Sequence, residues 1–190
     1  MTITLGVISD THIPDRARRL NACVNPIFQE AGVVAILHAG DVSTPRVLQQ
    51  LEEIAPVYAT RGNRDWLLLR HLPLTIQLTF NSVTIGITHG HGNLREYLID
   101  RMKYIMGGYH LDMFTPRLTA TFPEARVIIF GHTHRTLNHW LNGQLLFNPG
   151  SCQIPEKNAA YPSVGLLTIH SGGEVEGEIV RLKSPDCSRL

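Results

Sequence analysis

The sequence contains little cysteine and no long apolar run, and both absences narrow the class of protein. Three cysteines occur among 190 residues, without a C-x-x-C pair, which excludes a disulfide-built mini-protein and is typical of a reducing compartment. No apolar stretch approaches the roughly 20 residues needed to span a bilayer. The N-terminal run MTITLGVISD lacks the basic region and cleavage site of a signal peptide. We therefore expect unpaired thiols in a cytoplasmic protein that does not enter the membrane.

An excess of charge of one sign is also missing. Lys and Arg number 17 against 16 Asp and Glu, so the chain lacks the basic excess that binding of long nucleic acids usually requires. Nucleic acid is therefore not an expected partner. With 43% apolar residues, the chain can build one full core, and no repeat or linker divides it. We predict a single domain over residues 1–190.

Five short apolar runs, rich in β-branched residues, end abruptly in polar residues. The runs read ITLGVIS, VVAIL, VYAT, VTIGIT and RVIIF. Continuous apolar runs of this length are typical of strands buried on both faces, in sheets covered by helices. Helices are expected between the first three runs, one over DRARRLNACVNPIFQEAG and one over TPRVLQQLEEIA with Thr44 as its N-cap.

From about residue 74 the pattern changes to hairpins. TIQLTF and VTIGIT flank the turn NS, TLNHWL and QLLFNP flank the turn NG, and a last hairpin turns near Gly172. Two turn residues between strands are typical of tight hairpins, and Asn-Gly is the strongest such signal. The fold class is therefore predicted as α/β, with about ten strands in a four-layer α/β/β/α sandwich of two mixed sheets flanked by helices.

The polar residues that follow the five strands form one candidate constellation. Ligands of open α/β sheets bind beyond the carboxyl ends of the strands, so these endings should converge. In an extended segment, residues i and i+2 lie on the same side, so a D-x-H or an H-x-H pair can grip a cation. Each member alone could cap a turn or be a buried histidine, but their joint occurrence favours a metal site. The members are Asp10, His12, Asp41, Asn63, His89, His132 and His134.

The ordered series D-x-H, G-D, G-N-x-D, H-G-H and G-H-x-H resembles the calcineurin-like metallophosphoesterase superfamily, especially its small YfcE-type phosphodiesterase branch. The match runs from about Asp10 to Ser151. The resemblance implies the metallophosphoesterase fold and the hydrolysis of small phosphodiesters by a hydroxide held between two metals. It also implies the following ligands: Asp10, His12 and His134 for the first ion, Asn63, His89 and His132 for the second, and Asp41 as the bridge.

The donor types indicate which ions such a centre would hold. Four imidazoles with few carboxylates disfavour Mg²⁺ and Ca²⁺ and suit Mn²⁺, Fe²⁺, Zn²⁺ or Ni²⁺. Resemblance to the bacterial branch favours Mn²⁺. Two divalent ions roughly 3.5–4 Å apart can acidify a bound water and grip phosphoryl oxygens. The expected partner is therefore a small phosphate-ester substrate.

Position 64 departs from the wider family, which often places a histidine there to protonate the leaving group. Arg64 cannot act as that acid, but its planar fork can bind phosphate. The alternative is an exposed arginine paired with Asp65. His91 and His38 are candidate replacement proton donors. The predicted catalytic residues are therefore Arg64 and His91.

Residues 92–125 have little counterpart in the smallest relatives. Four apolar residues recur there at helical spacing, namely Leu94, Leu98, Met102 and Ile105. This spacing predicts a helix that packs that face on the core. The remaining aromatic and methionine side chains could form a lid over the metals or a homo-oligomer contact. The later motif NPGS is expected to form a tight turn beside the metal crevice.

Three functions follow from these observations. The leading hypothesis is a metal-dependent phosphodiesterase. The second is a scaffold of the same fold, since the resemblance extends to a retromer subunit that works through protein contacts. The third is a phosphomonoesterase or nuclease that uses the same centre.

Overall fold

Two five-stranded sheets form the centre of the fold. The computed structural model describes residues 1–108, 110–153 and 161–182; Cys187 lies outside them. The strands in this part of the chain are β1 (Ile3–Ile8), β2 (Ala35–His38), β3 (Val57–Ala59), β4 (Thr75–Phe80), β5 (Val83–Thr88), β6 (Val127–Ile129), β7 (Thr136–Leu141), β8 (Gln144–Pro149), β9 (Ser163–Ile169) and β10 (Val175–Arg181). The first sheet has the order β10-β9-β1-β2-β3 and the second the order β4-β5-β6-β8-β7. Each contains parallel and antiparallel pairs.

Three apolar layers hold the sheets and helices together. The helices are α1 (Val24–Glu30), α2 (Pro45–Glu52), α3 (Leu94–Gly107) and α4 (Thr115–Thr121), with a 3₁₀ turn at Leu111–Met113. Val7 and Phe147 belong to the core between the two sheets. Phe28 and Leu51 pack α1 and α2 on the outer face of the first sheet, and Leu118 packs α4 on the outer face of the second. The predicted four-layer α/β/β/α sandwich is confirmed.

The first two helices differ in length from the prediction. Helix α1 begins at Val24 rather than near Asp15, so Pro26 falls in its first turn, where a missing N–H breaks no helical hydrogen bond. Helix α2 begins as predicted, with Thr44 in an extended conformation before Pro45. It ends at Glu52, before the predicted alanine at position 55.

Helix α3 forms where it was predicted, but its apolar stripe is turned away from the core. Leu98, Met102 and Ile105 are 52%, 60% and 73% exposed, so the prediction that this face packs on the core is wrong. The helix is attached by polar contacts instead. Arg117 Nη2 donates to Asp100 Oδ2 at 2.9 Å and to the carbonyl oxygen of Gly90 at 2.6 Å.

The predicted Asn-Gly turn is present, but one of the cysteines differs from the prediction. Asn142 and Gly143 both have positive φ, 49° and 83°, as the predicted Asn-Gly hairpin turn requires. Cys152 is a buried free thiol, whereas Cys23 takes part in a disulfide. The expectation of unpaired thiols is therefore wrong for Cys23. Among the described helices, none has the length and apolarity to cross a bilayer.

Candidate metal centre

The seven predicted ligand residues lie together at one rim of the two sheets. Asp10 and His12 follow β1, Asp41 follows β2 and Asn63 follows β3, all from the first sheet. The second sheet supplies the three other histidines, His89 after β5 and His132 and His134 after β6. Because the loops come from both sheets, the donor residues come together only when the sheets are packed face to face.

The backbone at this rim is not extended, contrary to the spacing argument. Five of the seven positions have positive φ: Asp10 (53°), His12 (49°), Asp41 (54°), His132 (67°) and His134 (55°). The left-handed region is sparsely populated by residues other than glycine, although Asn, Asp and His are enriched there. Such conformations cost on the order of 1–3 kcal/mol each and cluster at functional sites. The side chains therefore converge through tight left-handed turns.

One group of donors consists of Asp10, His12 and His134. The Nε2 atoms of the two histidines are 3.0 Å apart. Asp10 Oδ1 lies 3.8 Å from Nε2 of His12 and 3.3 Å from Nε2 of His134. That oxygen is buried, and none of the described residues forms a hydrogen bond with it. A buried carboxylate oxygen facing two imidazole nitrogens is the arrangement expected around a cation, which would satisfy all three atoms.

The second group consists of Asn63, His89 and His132. Asn63 Oδ1 lies 3.1 Å from His89 Nε2 and 3.1 Å from His132 Nδ1. His89 Nδ1 donates to the carbonyl oxygen of Ala39 at 2.8 Å. This bond leaves Nε2 of His89 to face the site. Metal-binding histidines are commonly oriented in this way, by donating the other ring N–H to a carbonyl oxygen.

Asp41 lies between the two groups. Its Oδ1 is 3.5 Å from His89 Nε2, and its Oδ2 is 3.8 Å from His12 Nε2. The backbone N–H of Arg64 donates to Oδ1 at 2.8 Å and holds the carboxylate in this orientation. The two oxygens of one buried side chain therefore face different donor groups, as a bridging carboxylate would.

The charges at the site match metal binding. Burial lowers the pKa of His12 to about 4 and that of His132 to about 3, so both are neutral near pH 7, the form that binds metals. Burial alone would raise the pKa of Asp41, but the charge of His89 holds it well below its usual value. Burial also lowers the pKa of His89, but Asp41 outweighs it and raises the pKa to about 9. A cation bound here would therefore displace a proton from His89.

Serine and asparagine side chains hold the first group in place: Ser9, which the sequence did not single out, and two residues of the NPGS motif. Ser9 Oγ donates to Asp10 Oδ2 at 2.7 Å, and Ser151 Oγ donates to the carbonyl oxygen of Asp10 at 2.8 Å. Asn148 Nδ2 donates to the carbonyl oxygen of Gly131 at 2.8 Å. The NPGS motif thus lies beside the crevice as predicted, and its side chains fix the metal-facing loops.

The two predicted catalytic residues lie at the edge of the site. Arg64 is exposed, and its Nη1 pairs with Asp15 Oδ2 at 2.7 Å. The expected alternative pairing with Asp65 is wrong, because that carboxylate is buried and accepts from the backbone N–H groups of Ser43 and Gly62. The His91 ring lies 5.3 Å from the His89 ring, and burial lowers its pKa to about 4.

His38, the other candidate proton donor, lies behind the site. It is fully buried, and its Nε2 is 3.4 Å from Thr11 Oγ1. Burial lowers its pKa to about 3, so it is neutral near pH 7. A side chain without exposed surface cannot reach a leaving group at the rim.

Several known proteins are similar to this chain in sequence or in fold. The model of the calcineurin-like phosphoesterase superfamily domain matches residues 3–172. A probable metallophosphoesterase of Methanothermobacter thermautotrophicus is 36% identical over 186 residues, which cover 98% of this chain and 96% of that protein. Phosphodiesterase YfcE of Escherichia coli is 26% identical over 161 residues, 74% of this chain and 76% of its own. Vacuolar protein sorting 29 of Cryptosporidium parvum shares the fold, with a TM-score of 0.74 and 19% identity over 97% of this chain and 94% of its own.

Proposed function

The chain belongs to the calcineurin-like phosphoesterase superfamily, and on that premise we propose that it is a dinuclear metal-dependent phosphodiesterase that hydrolyses small phosphodiesters. The family and its phosphodiesterase relatives support a phosphoesterase hydrolase. The observation that carries the finer proposal is Asp41, whose two carboxylate oxygens face two separate donor groups. A carboxylate that served a single ion would face only one of these donor groups.

The residues present fit a pair of metal ions. Asp10, His12 and His134 would hold the first ion, since Asp10 Oδ1 accepts no hydrogen bond within residues 1–108, 110–153 and 161–182. Asn63, His89 and His132 would hold the second ion, and Asp41 would bridge both. Mixed imidazole and oxygen donors suit Mn²⁺, Zn²⁺, Fe²⁺ or Ni²⁺, and we propose Mn²⁺ among them on the similarity to the bacterial phosphodiesterases. Once bound, such ions supply Lewis acidity and an acidified water as nucleophile.

The protein residues around the ions would bind and orient the ester. The Arg64 side chain is exposed at the rim. Its planar guanidinium can leave Asp15 and donate two parallel hydrogen bonds to the phosphoryl oxygens. The His91 ring lies beside the second group, and its Nδ1 forms no hydrogen bond in the part of the chain that the structure describes. We assign Arg64 to substrate orientation. Because burial lowers the pKa of His91 to about 4, its ring is neutral near pH 7, and we assign it to hydrogen bonding with the leaving-group oxygen rather than to donation from an imidazolium.

Exposed apolar residues beside the site support a second candidate, a scaffold protein. Trp66, Leu67 and Leu68 follow Asn63 closely and are 70%, 67% and 57% exposed. Three adjacent apolar side chains at the surface are typical of a protein contact. The fold is also shared with vacuolar protein sorting 29. The complete set of buried and half-buried donors favours the enzyme. A homo-oligomer, a cytoplasmic location and a single domain over 1–190 stay predictions.

A substrate and metal panel tests the proposed function. Purified protein is assayed on small phosphodiesters and monoesters with Mn²⁺, Zn²⁺, Mg²⁺ or a chelator. We expect Mn²⁺-dependent turnover of diesters that the chelator abolishes. Turnover of monoesters alone would show that the substrates are phosphomonoesters and not phosphodiesters. Equal turnover with and without chelator would refute the metal mechanism. No turnover of any ester would leave the scaffold as the better candidate.

The role of Arg64 is tested separately. Arg64→Ala should lower kcat/KM by at least about tenfold if the guanidinium contacts the transition state. Arg70→Ala is a matched control, because Arg70 is also exposed and its contact with Arg61 uses its carbonyl oxygen. Equal kcat/KM in the two variants would remove Arg64 from the substrate-binding residues.

A further inference from the structure

A cavity of about 380 Å³ opens beside the second donor group. Its walls come mainly from residues 92–125, the segment whose role the sequence left open. Aromatic and apolar side chains dominate the lining: Tyr97, Tyr104 and Ile105 from α3, Met113 and Phe114 beyond it, and His132 from the metal centre. Binding sites for small molecules are typically cavities of roughly 300–1,000 Å³ with such a lining. The cavity is therefore large enough for one ring system.

The cavity is continuous with the metal centre through His132. The Tyr97 ring centroid lies 5.7 Å from that of His132, at an interplanar angle of 58°. The Phe114 ring lies 6.4 Å from His132 at 72°. Tilted rings at these separations are favourable aromatic contacts. A group attached to a phosphate at the metals would therefore meet aromatic surfaces as it leaves the donor atoms.

The α3 wall of the cavity is fixed by polar contacts. Arg117 ties Asp100 of α3 to the carbonyl oxygen of Gly90, in the loop that carries His89. A capping box at the start of α3 adds to this, since Asn93 Oδ1 accepts from the Glu96 N–H and Glu96 Oε2 accepts from the Asn93 N–H. The cavity is therefore preformed rather than created by the ligand, which lowers the cost of ordering on binding.

We propose that this cavity binds an uncharged aromatic group esterified to the substrate phosphate, so that the enzyme prefers aryl or nucleoside phosphodiesters to alkyl ones. The proposal rests on the proposed phosphodiesterase function. Arg101 and Arg135 also line the cavity, and guanidinium groups favour the face of an aromatic ring. An alkyl chain could fill the volume and gain apolar contacts, but it would gain neither ring–ring nor cation–π attraction from these side chains. Asp100 is paired with Arg117, so it does not select for a cationic ligand.

Two diesters with the same leaving group test the proposal. Phenyl 4-nitrophenyl phosphate and methyl 4-nitrophenyl phosphate both release 4-nitrophenolate, so their kcat/KM ratio reports on the retained group. The wild-type ratio should exceed about ten, and Tyr104→Ala should lower it about tenfold through loss of one aromatic contact. Met106→Ala is the matched control, because Met106 is 75% exposed on the same helix and is not among the cavity residues. A wild-type ratio near one, or the same ratio in both variants, would overturn the proposal.

Calorimetry separates a failure of this proposal from a failure of the proposed function. Phenylphosphonate and methylphosphonate are titrated into the Mn²⁺-loaded protein, since neither is hydrolysed. We expect phenylphosphonate to bind about tenfold more tightly, with the preference lost in Tyr104→Ala. Equal affinities overturn the cavity assignment even if diesters are hydrolysed. A retained preference supports it even if no diester is hydrolysed.

Discussion

Gly62 lies where the loop after β3 passes against Asp41, and adding one methyl group there should disrupt the second metal site. A Cβ at Gly62 would overlap Oδ1 and the backbone nitrogen of Asp41 and would lie 2.8 Å from its Cγ. The φ of Gly62 is not in the left-handed region, so alanine fits the backbone conformation itself. The perturbation in Gly62→Ala is therefore purely the loss of space beside the bridging carboxylate.

The size of the effect follows from what would have to move. Overpacking a filled site costs about 1–3 kcal/mol when side chains can shift. Here part of the overlap is with the backbone, which no rotamer change relieves, so we expect the upper end, about 3 kcal/mol. For a chain of this length, that corresponds to a melting temperature about 6–12 °C lower. Displacement of Asp41 Oδ1 should also weaken metal binding at the second group at least about tenfold.

Thermal unfolding of the chelator-treated protein and metal titration by calorimetry measure the two effects. Gly172→Ala is the control, because a Cβ there has open space within 4 Å and its φ is also outside the left-handed region. That variant should lie within about 0.5 kcal/mol of wild type. If Gly62→Ala matched the control in both stability and metal stoichiometry, Asp41 would not be held where the bridging assignment needs it.

Other parts of the structure give three further predictions. Arg117→Met should lower the free energy of unfolding in urea by about 3 kcal/mol, because it leaves Asp100 buried without its ion pair; exposed Lys103→Met should change it by less than about 0.5 kcal/mol. His12 and His38 have folded pKa values of about 4 and about 3, below the ordinary value of 6.5. Below about pH 6.5 the unfolded metal-free chain therefore binds more protons than the folded one. The urea concentration at the unfolding midpoint should decrease as the pH is lowered from about 6.5 to 4. His89 has a raised pKa and acts in the opposite direction only above 6.5, so a flat midpoint in the acid range would contradict these values. Burial raises the pKa of the Cys152 thiol, so iodoacetamide at about pH 8 should leave it unmodified in folded protein by mass spectrometry, and rapid labelling would show that the core opens.

The sequence was informative where the signal is local. Apolar runs followed by donor residues located five strand ends, because a strand buried on both faces must be continuously apolar. Asn142 and Gly143 located a hairpin turn, because both positions need positive φ. The sequence also predicted that the donor residues lie together at one rim, since the carboxyl ends of strands in an open sheet share an edge.

The sequence failed where long-range contacts decide. The stripe of Leu98, Met102 and Ile105 has helical spacing, which is the same for a buried and an exposed face, and contacts from Arg117 oriented the helix instead. Asp15, 49 residues from Arg64, is its partner rather than the adjacent aspartate. Spacing also suggested an extended backbone at D-x-H, whereas tertiary contacts hold both residues at positive φ.

The same tertiary contacts explain how the strained rim can exist and what it favours. Five ligand positions with positive φ, and two carboxylates that are almost fully buried, each lower the stability of the fold. Hydrogen bonds from Ser9, Ser151 and the Arg64 backbone hold them in place, but Asp10 Oδ1 has no hydrogen-bond partner among the described residues. In a pure scaffold, apolar residues at Asp10 and Asp41 would be at least as stable as this buried charged cluster. Cations bound between the donor groups would satisfy that oxygen and offset the strain, so the arrangement favours a site that binds metal ions.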